Sequence, residues 1–352
     1  MTAIHVIVFL AGLALTGTVV LSAIKTFVLP RSGRNWITHG VFIAVRAVID
    51  RLLPLRRSYK SRDALMAYYA PVGLLALLMA WLLMICVAFG AMFWATGPDN
   101  IYYALRESGS SLTTLGFEGP RTPIHTALTL AEAAIGLMLV ALLVSYLPSI
   151  YTAFQRREEQ VKLLEVRAGS PPSAVEMITR YHRIHGLEQL GEQWDKWEQW
   201  FVNIDESHTS LASLVFFRSP RPEHSWVTAA GAILDAAALT RSVVDTPPNA
   251  AADLCIRAGF LALRHIADFF AFEYHADPHH PAQQISVTRE EFDDACRRLE
   301  AEGVPLQADR EQAWRDFAGW RVNYDEVLLA LCRLTMAPYA PWSSDRSEIG
   351  RR

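Results

Sequence analysis

The chain has 352 residues, 51% of them hydrophobic and 20% charged, which is enough for two domains of ordinary size. Its charge is divided: residues 1–150 carry 11 Lys and Arg against 6 Asp and Glu, and residues 151–352 carry 22 against 30. The long apolar runs all lie in the first half, so a membrane half precedes an acidic, water-soluble half, and that acidity excludes nucleic-acid binding as its main task.

The first apolar run, Ile4 to Ile24, is long enough to cross a hydrocarbon core of ~30 Å. It lacks the charged leader and small-residue cleavage site of a signal peptide and is read as retained, with His5 at the interface. The stretch Arg31 to Leu65 follows, with Arg31, Arg34, Arg46, Arg51, Arg56, Arg57, Lys60 and Arg62 against only Asp50 and Asp63. Short loops rich in Lys and Arg stay on the cytoplasmic side. Within it Val41, Phe42, Val45, Val48, Ile49, Leu52 and Leu53 recur at helical spacing, which predicts an amphipathic interfacial helix, a lever at the base of the membrane half or a simple anchor.

A second span runs from Met66 to Trp94, longer than a bilayer needs. A third runs from Ile124 to Ile150, and Glu132 lies inside it; a carboxylate at membrane depth is a functional candidate by default. Ser110, Ser111 and Thr113 are its expected hydrogen-bond partners, making it a support for the preceding loop, with proton or ion sensing as the other role. Gly136 and Pro148 lie in the same span; Pro148 removes a backbone donor and can bend the helix, and either can instead be a packing or helix-end residue.

The loop between these spans reads Ser108-Gly109-Ser110-Ser111-Leu112-Thr113-Thr114-Leu115-Gly116-Phe117-Glu118-Gly119-Pro120. A short helix from Asn100 to Leu112 is expected to lead into it. Arg106 and Arg121 are its only basic residues, which places it on the outer side. The run Thr113-Thr114-Leu115-Gly116-Phe117 resembles the pore loop of potassium channels, whose signature is T-T-V-G-Y-G-D. The chemistry of that loop is general: an ion exchanges its water shell for rows of backbone carbonyls, and glycine permits the backbone angles that aim them. Where the family pattern has glycine and then aspartate, this chain has Glu118 and Gly119. A left-handed Glu118 would cost roughly 1 kcal/mol or more, and four copies would ring the outer mouth with carboxylates.

The second half reads as helical. Residues 151–168 continue the third span, and Gly169-Ser170-Pro171-Pro172 breaks it. Ser173 to Glu176 reads as a capping box, as does Thr288 to Glu291. Trp194, Trp197 and Trp200 belong to a core or a subunit interface. Helices are expected over Trp226 to Val244 and Leu254 to Phe272, and Asp309 caps a helix that runs, with a break, to Leu334. The tail from Ala337 is read as loose. Cys86, Cys255, Cys296 and Cys332 are far apart and form no C-x-x-C, which predicts buried free thiols. Ser207 and His208 have no nucleophile elbow beside them, and the prolines around His275, Asp277, His279 and His280 place that possible metal cluster in an exposed loop.

The expected fold class is therefore an all-α membrane protein: three transmembrane helices, a re-entrant pore helix with its filter, and a mainly helical cytoplasmic domain. Its parts are an N-terminal transmembrane helix (1–30), a basic linker helix (31–65), a pore module (66–150), the helical domain (151–336) and the tail (337–352). The resemblance covers residues 66–150 and implies a channel of bacterial type, not an enzyme. It implies a filter of Thr113, Thr114, Leu115, Gly116 and Phe117, a mouth at Glu118, and inner-helix support or gating at Glu132, Gly136 and Pro148. It further implies a homotetramer with potassium as the permeant cation. The Lys and Arg distribution places the N-terminus outside and the helical domain in the cytoplasm, in a plasma (inner) membrane with membrane lipids as neighbours, and no cofactor or bound metal is expected. The alternatives are a non-selective or divalent-permeable cation channel, because of Glu118, and a non-conducting membrane sensor or scaffold.

Overall fold

The computed structural model describes residues 3–29, 35–53, 58–97 and 100–346. No strand occurs among them; one isolated bridge pairs Val244 with Leu306. Arg31, Arg34, Arg56, Arg57 and the end of the tail lie outside the described residues. Three stretches are long and apolar enough to cross a membrane: Ala3–Phe27, Tyr59–Thr96 and Pro123–Ala168.

The chain divides into two compact units. The first comprises Met1–Leu52 and Tyr68–Tyr151, and the second Leu53–Ala67 and Thr152–Arg352. The linker expected as one element over 31–65 is thereby divided. Helix α2 (Trp36–Leu52) belongs to the first unit and helix α3 (Tyr59–Met66) to the second.

In the first unit, α4 (Tyr69–Thr96) is the central helix; α1 (Ala3–Phe27), α2 and α5 (Ile101–Leu112) all pack on it. Small residues let the backbones approach. A Cβ on Gly12 of α1 would meet the Ala88 carbonyl oxygen at 2.6 Å, and one on Gly73 would meet the Phe42 ring at 2.7 Å. In lipid, where the hydrophobic drive between helices is missing, such contacts would take its place. Trp81, fully buried, donates its indole N–H to Ser22 Oγ at 3.0 Å, satisfying a donor that lipid would leave bare.

Helix α6 (Pro123–Ala168) runs unbroken through Pro148 and ends at Gly169, whose φ of +79° suits a residue without Cβ. Its last carbonyls are satisfied from the next helix, α7 (Ala174–Arg183): Arg180 donates to Glu165 O at 3.2 Å and Val166 O at 2.6 Å. The capping box expected at Ser173 does not form, because Glu176 is engaged by Arg180 at 2.6 Å instead. The box at Thr288 does form, at the start of α11 (Arg289–Ala301), and Asp309 caps α12 (Arg310–Arg321).

The second unit is built around α9 (Trp226–Ser242), which is buried on nearly every face and therefore apolar all round. Helix α8 (Leu190–Ser210) packs on α10 (Ala250–Phe269), with Trp194, Trp197 and Trp200 in the core. One guanidinium organises the far side. Arg321, 0% exposed, donates to Asp235 Oδ1 at 2.5 Å, to Asp325 Oδ1 at 2.6 Å and to the Trp342 carbonyl at 2.5 Å. Asp325 begins α13 (Asp325–Thr335), and Tyr324 also donates to Asp235, at 2.9 Å. The expectation of a loose tail is corrected through Arg346: Ala337, Ala340, Ser343 and Ser344 are buried, and Arg346 pairs with Glu291 at 2.8 Å. The physical reason is the donor of Arg321 left over by the two carboxylates, which needs a carbonyl from the tail.

Candidate functional site

The loop that carries the motif hangs from α5. Asn100 caps the helix by accepting from the Tyr102 N–H at 3.2 Å, as its position before an apolar-periodic run predicts. Buried Ala104, Glu107, Ser108 and Ser111 recur at helical spacing, so one face of α5 points into the unit. That face touches both neighbouring long helices. Leu105 fills the space above Gly90 of α4, and the Ser108 hydroxyl donates to the Cys86 carbonyl of α4 at 2.9 Å. Towards α6, Ser108 Oγ lies 2.5 Å from Glu132 Oε1, and Ser111 donates to the Thr129 carbonyl at 2.7 Å. A Cβ on Gly136 would meet Leu112 Cδ1 at 2.8 Å and the Leu112 carbonyl at 2.9 Å. Gly136 thus admits the end of α5 against α6.

Two polar groups of this seam escape sequence reasoning. His125, 2% exposed at the start of α6, places Nδ1 at 2.9 Å and 3.1 Å from the two oxygens of Glu107, itself 4% exposed. Phe93 packs on the imidazole at 5.2 Å. The only signal in the sequence was a glutamate one residue before Ser108 on the predicted pore helix. Glu132 is 0% exposed and is met first by Ser108; of the three partners expected from the sequence, Ser111 also reaches its carboxyl, and Ser110 and Thr113 bond elsewhere. The helical phase explains the difference: Ser108 and Ser111 share the face towards α6, Thr113 bonds Gly109 O at 2.6 Å, and Ser110 Oγ turns to Glu118.

The motif itself is exposed from Thr113 to Phe117. Thr114 and Gly116 have positive φ, +55° and +68°, and Leu115 and Phe117 do not. A threonine held in that region carries strain of order 1–3 kcal/mol, supported here by the Thr114 N–H to Ser111 O and Leu115 N–H to Ser110 O bonds of 3.0 and 3.1 Å.

Glu118 does not adopt the left-handed conformation the family pattern would ask of it, and so avoids that cost. Its backbone N–H donates to Ser110 Oγ at 3.0 Å, and its carboxylate sits 3.2 Å from both Arg106 and Arg121. Within one chain the Glu118 carboxylate is neutralised by two guanidinium groups. Pro148 lies on the exposed side of α6, about 18 Å along the axis from Gly136 at 1.5 Å per residue, and is not part of this cluster.

Elsewhere, Cys255, Cys296 and Cys332 are free and buried. Burial pushes the Cys296 thiol up to about 11 and the Cys332 thiol up to about 12. His208 is buried in contact with Trp226, and Ser207 Oγ lies 3.1 Å from its Nδ1. His279 is exposed and contacts Asp277, while His280 packs on Trp314 at 5.9 Å. Among the described residues no group of three or more His, Cys, Asp and Glu is placed to hold a metal ion. No family model matches the chain, and neither does any curated protein or solved structure.

Proposed function

We propose that this chain is one quarter of a homotetrameric cation channel of the potassium type, with residues 113–117 as its filter and the helical second unit as its gating or assembly domain. The observation that carries the reading is the depth of α5. Ser108 meets α4 at Cys86, about 15 Å before the end of that helix, and Leu112 meets α6 at Gly136, about 20 Å after its start. A helix lodged that far between two segments able to span ~30 Å of hydrocarbon ends near mid-membrane. Non-helical backbone at such depth is tolerated only where it is buried in protein or lines a water-filled path. Residues 113–117 are exposed in the single chain, so the path would be completed by other copies.

Two further features support a cation as the permeant species. The C-terminus of a helix carries about half a negative charge, and that end of α5 adjoins the loop. Positive φ at Thr114 and Gly116 is the kind of backbone freedom that a loop aiming its carbonyls at a common axis would use. In this reading the N-terminus is outside, the second unit is cytoplasmic, and the protein resides in the plasma membrane without an enzymatic task.

Flux from liposomes loaded with potassium, sodium or calcium tests it, for wild type and Glu118→Gly. Potassium flux that excludes sodium supports the potassium reading. Sodium or calcium flux that becomes potassium-selective in Glu118→Gly moves the reading to a less selective channel whose selectivity Glu118 limits. Absence of flux under all stimuli from a folded tetramer favours a sensor with a relic pore.

A further inference from the structure

The second unit holds two pieces of chain that lead directly into the first. Helix α3 is followed after Ala67 and Tyr68 by α4, and the last turns of α6 enter the unit at Thr152. Both are gripped by one short segment, Leu214 to Arg218. On the α6 side, Arg157 is 2% exposed and donates to the Leu214 carbonyl at 2.9 Å and the Phe217 carbonyl at 2.7 Å. It also pairs with Glu158 at 2.9 Å, and its own carbonyl accepts from the Trp200 indole at 3.2 Å. On the α3 side, Arg218 pairs with Asp63 at 2.5 Å, both side chains being about nine-tenths buried.

The other donors of Arg218 go to the C-terminal carbonyls of α13, Thr335 O at 2.6 Å and Met336 O at 2.8 Å. Tyr59 of α3 donates to the same Met336 carbonyl at 3.2 Å. Arg218 therefore does two things at once. It closes the orphan carbonyls of a core helix and it holds Asp63. Asp63 and Arg157 each lie within two helical turns of a crossing into the first unit. The segment between their anchors is short and braced: Phe217 N–H bonds Leu214 O at 3.1 Å, and Val215 O accepts from the Trp226 indole at 3.2 Å.

We propose that Leu214–Arg218 is a coupling segment, which ties the inner end of α6 to the helix entering α4 so that a change in the helical unit acts on both together. The inference rests on the channel reading for its consequence, but the tie itself is testable without ion flux.

The test is amide hydrogen exchange by mass spectrometry on the full-length protein in liposomes, following residues 58–67, 152–160 and 212–219. Asp63→Asn removes the charge held by Arg218 without changing volume. Arg157→Lys keeps the charge but has one nitrogen for two carbonyls. Lys60→Ala is the control, because its pair with Glu223 is exposed. A charge-assisted hydrogen bond lost from such a site corresponds to exchange faster by roughly tenfold or more.

The expected result is that Asp63→Asn speeds exchange in 152–160, and Arg157→Lys in 58–67, as well as near the mutation. Lys60→Ala leaves all three segments as in wild type. Effects confined to the mutated segment overturn the proposal, and Asp63→Asn alone decides it if Arg157→Lys does not fold. Flux on the same liposomes separates the two readings. Coupled exchange with no flux from any protein, wild type included, defeats the channel and leaves the tie; wild-type flux with local exchange defeats the tie and leaves the channel.

Discussion

The buried His125–Glu107 pair offers the sharpest test of how α5 is held. Replacing His125 by leucine removes the only hydrogen-bond partner of the Glu107 carboxylate among the described residues, at a position 4% exposed between apolar helices. Removing one member of a buried pair costs about 3–5 kcal/mol, because the other is left uncompensated. Replacing both by leucine removes the uncompensated group too and is expected to be nearly neutral. The cycle of His125→Leu, Glu107→Leu and the double variant therefore has a coupling of about 3 kcal/mol or more, larger than neighbouring packing alone produces. Loss of helix signal on denaturant titration in micelles, followed by circular dichroism, measures it. In the channel reading, the single variant also loses flux and the double variant recovers part of it. A His125→Leu cost below about 1 kcal/mol, or a double variant as damaged as the single, refutes the reasoning.

Other outcomes follow from particular contacts. Gly136→Ala places a methyl group against the Leu112 carbonyl, which cannot turn away as a side chain would, so a loss of about 1–3 kcal/mol is expected in the same titration; Gly17→Ala, inside α1 with open space around it, is the control that loses no stability. Arg321→Met leaves Asp235 and Asp325 buried without their cation and frees the tail, so about 3–5 kcal/mol is lost, and a loss under about 1 kcal/mol in denaturant contradicts the network. Burial opposes the Arg321 charge, but Asp235 and Asp325 together outweigh that and hold it protonated across the accessible pH range.

Burial, with the Arg157 charge beside it, holds His208 well below its ordinary value. The unfolded chain then takes up a proton below about pH 6.5 that the folded chain refuses, so stability is full above that pH and falls as pH drops. The slope reaches about 1.4 kcal/mol per pH unit and is reduced by one proton in His208→Gln, as equilibrium unfolding at pH 5 to 7 would read. Thiol reagents at pH 8 are expected to leave Cys255, Cys296 and Cys332 unlabelled until the second unit unfolds, and rapid labelling in the native state argues against their burial.

What the sequence by itself determined is local. Apolar runs set the three long helices, Asn100, Thr288 and Asp309 marked helix starts, and Gly169 marked an end, because a cap or a 3.6-residue period is contained within a few neighbouring residues. The order long helix, short helix, Thr113–Phe117 loop, long helix was legible for the same reason. The pairings were not. Ser108 leads the contacts to Glu132; His125 meets Glu107; two arginines neutralise Glu118; and Arg218 reaches Asp63 across 155 residues. Each depends on the rotation of one helix against another, and a turn of 100° per residue moves a side chain to a different neighbour. The same holds for the tail, which reads as loose by its prolines and serines and is packed as far as Arg346, where Arg321 donates to the Trp342 carbonyl and Arg346 pairs with Glu291.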